Sequence, residues 1–322
     1  MTTAVAHANI AFIKYWGNLV GALRLPYNSS LSMNLSAATT TTTVKFLRDI
    51  PADCLVIDGA ERSGPALDRV VSHLDLIRQR AGLTERAVVE SANSFPMGTG
   101  IASSASAFAA LTVAAAAAAG LELGERALSA LARRGSGSAA RSIPGGFVEW
   151  HAAPTDEGSY AESIAAADHW DLRDIVAVVS RAHKATGSTD GHAAAVASPF
   201  FAARMTALQT ELPRVRQALL DRDMATLGPA IEAEALALHA IAMTGRPPVL
   251  YWAPETIGLL HQVHAWRADG LAVWFTLDAG PNVHLICEGG AAADVEAALA
   301  PLDCVESILH NRPAGPASLV RD

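Results

Sequence analysis

The clearest hydrophobic periodicity along the chain is helical. Pro65 opens a stretch in which Leu67, Val70, Val71, Leu74 and Ile77 share one face, and Gly82 closes it. A second helix is predicted from near Ser104 to about Ala119, a third from Glu125 to Arg133, and two long ones over Pro199–Met243, broken near Asp221–Asp223. Pro254–Arg267 and Ala291–Leu299 complete the helices. The β-branched run Thr39–Leu47 predicts a strand, followed by others at Cys54–Ile57, Ala87–Glu90, Gly146–Trp150 and Ile175–Ser180. Val249–Trp252, Leu271–Leu277 and Val283–Cys287 continue the series. Strands and helices interleave without a regular βαβ rhythm, which favours α+β over a doubly wound sheet. A soft division is expected near residue 180, giving an N-terminal lobe over 1–180 and a C-terminal lobe over 181–322.

Composition narrows the picture. The 322 residues can bury a full core, and the 51% hydrophobic content is carried largely by alanine, the best helix former. The stretch Ala105–Leu121 is mostly alanine, interrupted by Ser106 and Thr112, and reads as a buried helix rather than a membrane span. A formal net charge of -8 argues against a nucleic-acid binder. Cys54, Cys287 and Cys304 show no CxxC pairing, so neither a disulfide framework nor a zinc site is expected. Met1–Asn9 has no basic region followed by an apolar core, so no secretory signal is expected, and the cytoplasm follows by default.

The most chemical segment of the first half is Pro96-Met-Gly-Thr-Gly-Ile-Ala-Ser-Ser-Ala-Ser106. Gly98 and Gly100 permit close backbone approach, and Ser103, Ser104 and Ser106 place hydroxyls where a helix begins. Unpaired N–H groups and the positive dipole end add to a site suited to nucleotide phosphates. The run matches neither GxxxxGK[ST] nor GxGxxG, and an ordinary glycine turn with a serine cap explains it equally well on spacing alone.

Four segments carry a family resemblance. Asn9-Ile-Ala-Phe-Ile-Lys-Tyr-Trp-Gly17 with Leu25-Pro-Tyr-Asn-Ser-Ser-Leu-Ser32 resembles the opening of mevalonate diphosphate decarboxylases. Asn93-Ser-Phe-Pro96 with Gly100-Ile-Ala-Ser-Ser-Ala105 resembles their phosphate loop. Ala132-Arg-Arg-Gly-Ser-Gly-Ser-Ala-Ala-Arg-Ser142 and Asp278-Ala-Gly-Pro-Asn282 resemble two further signatures, all in the family's order. The resemblance implies the two-lobed α+β fold of the GHMP kinases, with an N-terminal ribosomal-S5-domain-2-like lobe and a C-terminal ferredoxin-like lobe. It also implies the reaction: ATP phosphorylates the tertiary 3-hydroxyl of a phosphorylated mevalonate, that phosphate leaves, and carbon dioxide is lost to form an alkene.

On the same resemblance Asp278 is the catalytic aspartate, whose carboxylate can accept or orient the 3-hydroxyl proton. Arg141 grips the substrate carboxylate, as a guanidinium does in bidentate fashion. Lys14 orients Asp278 or neutralises developing phosphate charge, and Ser138 lies near the substrate. Tyr15 meets the terminal phosphate, Asn28 and Ser29 line the pocket, and Ser136 is a phosphate or substrate contact. Asn93, Pro96, Gly98, Gly100, Ser103 and Ser104 are the expected ATP contacts. Trp16 reads as core. Magnesium is expected with ATP, but no metal ligands can be named from the sequence. His183, His192 and His239 are possible pocket residues, although surface or core is the commoner place for such histidines. A homodimer is expected by analogy and from the prevalence of twofold assemblies.

The chain departs from the family in one place. After Tyr-Trp-Gly the family usually has a lysine toward the substrate diphosphate; here Asn18 stands there, followed by Leu19 and Val20. Ser188–Val196 aligns with a segment that carries an arginine in bacterial members and has none here. Fewer cations at that end favour a monophosphate, since a diphosphate is costly to desolvate without them. The expected substrate is therefore 5-phosphomevalonate, with 5-diphosphomevalonate as the alternative if Lys184, Arg181 or Arg24 supplies the charge. A 3-kinase that stops before decarboxylation is a second alternative, and a silent nucleotide-binding relative a third.

Overall fold

The computed structural model describes residues 1–95, 103–181 and 187–320. Pro96, Gly98, Gly100, His183 and Lys184 lie outside the described residues.

The first sheet is organised around the long strand Ser30–Leu47. From Leu31 to Val44 it runs antiparallel to Thr2–Ile13, with two register shifts; on its other edge Ser30–Met33 pairs with Phe147–Trp150, and Thr40–Leu47 with Arg86–Asn93. One strand can serve two neighbours because it is 18 residues long and each neighbour takes one half. From Ala38 to Lys45 inward and outward residues alternate, with Thr40, Thr42 and Val44 buried. Threonine suits these places because its branched side chain fits the pleat and its hydroxyl finds partners: Thr40 bonds Ser106 at 2.7 Å and Thr42 bonds Ser91 at 3.0 Å. Cys54–Ile57 pairs parallel with Arg86–Asn93, the chain crossing over through the helix Pro65–Ala81.

Helix Ser103–Ala118 lies on this sheet with most of its side chains buried. Its alanines let the helix backbone approach the sheet closely, where Ala109, Ala110 and Ala114 meet Ala4, Ala6, Val44 and Val89 in one core. Among the described residues no helix is long and apolar enough to cross a membrane.

A second, four-stranded antiparallel sheet runs Trp274–Thr276, Val283–Glu288, Leu172–Val178, Ser307–Asn311. The chain leaves the first sheet after Ala165 and enters the second at Leu172, ahead of the division expected near 180, because Leu172–Val178 pairs only with strands of the second sheet. Helices Phe201–Asp221 and Met224–Thr244 join the two lobes: Leu208, Leu219, Leu227 and Ile231 share a core with Ile10, Phe12 and Met33 of the first sheet and Val176 and Ile286 of the second. The break between them is closed by Asp223, whose carboxylate accepts the Thr226 N–H at 3.1 Å.

Two sequence expectations need correction. Val249–Trp252 is not a strand. Pro247 and Pro248 precede it and bring no N–H groups, and the segment is held instead by Val249 N donating to Ala242 O at 2.8 Å and by Val249 and Tyr251 packing with Trp16. The Gly/Ser segment at Gly135–Ser142 is not a loop throughout: Gly137–Ser142 coils into a short 3-10 helix.

Candidate active site

Lys14 ends the run that leaves the strand Thr2–Ile13, and Asp278 begins the turn that follows Trp274–Thr276, so each lobe presents one charged group to the boundary. Their contact is direct, with Lys14 Nζ 2.8 Å from Asp278 Oδ1. Lys14 Nζ also donates to Ala11 O at 2.6 Å. The lysine is 1% exposed, whereas the Asp278 side chain keeps 20%, so the carboxylate is the member of the pair that an incoming molecule can touch. Burial pulls the Lys14 ammonium below the usual lysine range, against the attraction of Asp278 and Glu234. Burial alone would raise the Asp278 carboxyl, but Lys14, His284 and Arg141 outweigh it and hold the group below the usual carboxylate range. Asp278 is thus ionised at neutral pH.

The turn carrying Asp278 is fixed on several sides. Gly280 N donates to Asp278 O at 2.8 Å, Thr256 Oγ1 donates to Pro281 O at 2.6 Å, and Asn282 Oδ1 accepts from Val179 N at 2.9 Å. His239, buried and neutral with its pKa pushed down to about 3, bonds the Asp278 backbone.

Arg141 comes from the 3-10 turn and is 2% exposed. Its Nε donates to Asn9 Oδ1 at 3.2 Å and its Nη1 to Ser30 Oγ at 2.6 Å. Burial lowers its pKa to about 10, opposed by Asp278 and Tyr15, so it stays cationic at neutral pH. No partner for Nη2 is found among the described residues, which leaves that edge of the guanidinium for an anion. Asn9 is a clamp: while it accepts from Arg141, its amide donates to Ser142 Oγ at 2.8 Å and to Ser138 O at 3.2 Å. The Ser138 backbone is thereby tied to Arg141 through one side chain.

Tyr15 packs its ring onto Gly137, where an added Cβ would sit 2.5 Å from Tyr15 Cε1. Its hydroxyl donates to Asn18 Oδ1, and burial pushes its pKa up to about 12, so it remains a donor. His192 stacks against Tyr15 at 4.1 Å between ring centroids, and its Nδ1 accepts the Gly17 N–H at 2.9 Å. Segment Ser188–Ala194 is therefore brought beside the Tyr15–Asn18 turn. Trp16 is core, 2% exposed.

The remaining expected contacts divide by what already engages them. Ser104 Oγ lies 3.1 Å from Ser136 Oγ, joining the start of helix Ser103–Ala118 to the Gly/Ser segment. Asn28 Nδ2 donates to Lys14 O at 3.0 Å and Ser29 Oγ accepts from Ala152 N at 2.9 Å, so both brace the site's frame. Asn93 is tied to Thr40 and Asp58 at the end of its strand, and Ser103 offers its carbonyl to Ser106. Of the candidate compensating cations, Arg181 turns to Glu306 and Ser307, while Arg24 donates to Arg134 O at 3.1 Å and acts on Tyr15. Sequence reasoning assigned no role to Asn9, although it stands in one of the motifs, and none to Glu234 or Arg204, which sit in helices outside any motif.

The lysine-held carboxylate faces the buried arginine where the lobes meet, and Ser104 is joined to the Gly/Ser segment that leads to that arginine. Known proteins resemble this chain in sequence and fold. A family model described as the diphosphomevalonate decarboxylase-like N-terminal domain matches residues 6–161, and one for the mevalonate 5-diphosphate decarboxylase C-terminal domain matches 174–312. The chain is 37% identical over 303 residues to phosphomevalonate decarboxylase of Haloferax volcanii, covering 94% of this chain and 92% of that one. It is 34% identical to human diphosphomevalonate decarboxylase over 319 residues, 92% of this chain and 79% of the relative. A solved structure of mevalonate diphosphate decarboxylase from Staphylococcus aureus superposes with a TM-score of 0.94 at 35% identity, covering 99% and 98% of the two chains. Another decarboxylase structure, in complex with MVAPP, AMPPCP and magnesium, gives 0.95 at 37% identity, covering 100% and 99%. The chain belongs to the mevalonate diphosphate decarboxylase family, with its two-lobed mixed α and β fold.

Proposed function

We propose that this protein is an ATP-dependent decarboxylase whose preferred substrate is 5-phosphomevalonate, yielding isopentenyl phosphate, carbon dioxide, ADP and phosphate. The observation that carries the monophosphate preference is Asn18: an uncharged amide takes the Tyr15 hydroxyl where a family lysine would stand. The relative from Haloferax volcanii, named for the monophosphate reaction, supports it. Arg24, acting on Tyr15, favours the diphosphate alternative, because it brings a cation to the same end.

In this reading the Asp278 carboxylate, kept anionic by Lys14, draws the proton from the tertiary 3-hydroxyl as that oxygen takes the γ-phosphoryl group of ATP. Arg141 holds the substrate carboxylate through its free edge until the C–C bond pair moves into the new alkene and the C3 phosphate departs. Asp278, anionic again once that proton has passed to water, faces the positive charge that develops at C3. Tyr15, with Asn18, receives the terminal phosphate, and Ser138 and Ser136 lie along the substrate. Ser103 and Ser104 bind ATP phosphates together with Asn93, Pro96, Gly98 and Gly100.

No group of three or more His, Cys, Asp or Glu among the described residues encloses a metal. The paired Ser104 and Ser136 hydroxyls are oxygen donors of the kind that suit magnesium carried mainly by nucleotide phosphates. Magnesium held there would neutralise charge on the phosphates. The free state of Cys54, Cys287 and Cys304 supports a reducing, cytoplasmic setting, and a homodimer is proposed on the same family grounds.

The deciding experiment supplies magnesium and ATP with either phosphorylated mevalonate and follows ADP and carbon dioxide together. Higher kcat/KM for the monophosphate supports the reading of Asn18, and higher kcat/KM for the diphosphate overturns it. ADP without carbon dioxide would instead mark a 3-kinase.

A further inference from the structure

The Lys14 backbone is gripped on both sides by charges that belong to neither motif. Glu234, on helix Met224–Thr244, accepts the Lys14 backbone N–H at 3.0 Å. Arg204, on helix Phe201–Asp221, donates through Nη2 to Lys14 O at 2.7 Å. The two side chains bond each other, Arg204 Nε to Glu234 Oε2 at 3.3 Å and Nη2 to Oε1, which closes a ring around the backbone of one residue. Both are buried, at 4% and 8% side-chain exposure. A buried ion pair is weak evidence of added stability, because desolvation offsets most of its attraction. Its placement is more informative, since helices that join the lobes fix N–H and C=O of the residue whose ammonium meets Asp278.

We propose that Arg204 and Glu234 are a positioning pair for the reaction, setting the Lys14 backbone so that its ammonium reaches Asp278. The inference rests on the catalytic reading of Lys14 and Asp278. Glu234 has a second effect, since its charge favours the protonated form of Lys14. The groups facing Lys14 are Asp278 from the second lobe's turn, Arg141 from the 3-10 turn, Glu234 and His239 from one long helix, and Arg204 from the other. Of these Asp278 and Glu234 favour the ammonium, and Arg141 opposes it.

The test compares wild type with Glu234→Gln, Arg204→Lys and the double variant Arg204→Met/Glu234→Leu. Glu234→Gln keeps an acceptor but loses the charge. Expected is a fall in kcat of about 10- to 100-fold, the scale on which small displacements of catalytic groups act, with KM values for 5-phosphomevalonate and ATP within about twofold. The alkaline limb of the kcat profile moves to lower pH. Lys14 can be followed without turnover, by the 15N resonance of its ammonium. The chain has three lysines, Lys14, Lys45 and Lys184, and Lys14→Arg assigns the signal. Its titration moves to lower pH in Glu234→Gln and stays in place in Arg204→Lys, which slows turnover through geometry alone. The double variant leaves no unpaired buried charge, so it folds and remains as slow as Glu234→Gln. Wild-type kcat in the folded double variant, or an unmoved Lys14 titration in Glu234→Gln, overturns the proposal. If wild type turns over neither substrate, the functional reading fails by itself, and the Lys14 titration still decides whether the pair controls this lysine.

Discussion

At the scale of single residues, the site is a set of charges each held in one ionisation state by a named neighbour. Asp278→Asn keeps the shape of the side chain but cannot accept the 3-hydroxyl proton, and it leaves Lys14 buried beside a neutral amide. Loss of a positioned base costs about 10²- to 10⁴-fold, so kcat should fall within that range while KM for ATP changes little; near-normal turnover would remove Asp278 from the chemistry. Asn18→Lys tests substrate choice. A lysine beside Tyr15 adds the cation that a diphosphate needs, so kcat/KM for 5-diphosphomevalonate should rise about tenfold relative to the monophosphate, the effect of one charge-assisted contact worth about 1.4 kcal/mol. An unchanged ratio would show that Arg24 already supplies that charge. Lys14, Arg141 and Asp278 were legible in the sequence because motifs mark them. Asn9, Ser30, Glu234 and Arg204 carry no role on their face: each acts through a contact more than a hundred residues away along the chain.

At the scale of elements, the seat of Tyr15 depends on a glycine. The Tyr15 ring occupies the space a side chain at residue 137 would need, and an added Cβ would also come within 2.7 Å of its hydroxyl. Gly137→Ala must therefore displace Tyr15 from Asn18. Steady-state kinetics should show KM for the phosphorylated mevalonate raised about tenfold or more, with KM for ATP nearly unchanged; equal effects on both substrates would mean that the whole 3-10 turn had moved. The helices were readable where polar and apolar faces alternate or where caps are plain: Pro65–Ala81 and the pair Phe201–Asp221 and Met224–Thr244 lie close to their expected bounds. Strand Thr2–Ile13 was not read at all. Its inward residues Ala4 and Ala6 are too small to give a hydrophobic rhythm, being sized for the alanine face of helix Ser103–Ala118. The reverse failure occurred at Val249–Trp252, where β-branched and aromatic residues promise a strand but are used to bury Trp16.

At the scale of the whole molecule, two histidines make stability depend on pH. His73 lies between helices Pro65–Ala81 and Ser103–Ala118, its Nε2 2.8 Å from Thr112 Oγ1, and burial pushes its pKa down to about 3. His239, under the Asp278 turn, is likewise pushed down to about 3, by burial and then by Lys14. Both are neutral in the folded protein and titrate near 6.5 when unfolded. With the folded value below the unfolded one, protons bind the unfolded chain preferentially as pH falls below 6.5. The loss continues until the folded groups titrate near 3. At pH 5 each histidine should cost about 2 kcal/mol relative to pH 7.5. Urea unfolding at the two pH values measures the sum. His73→Gln keeps an amide within reach of Thr112 but cannot titrate, so it should remove about half of the drop while leaving activity at pH 7.5 in place. A drop of unchanged size in that variant would show that His73 does not carry the acid sensitivity.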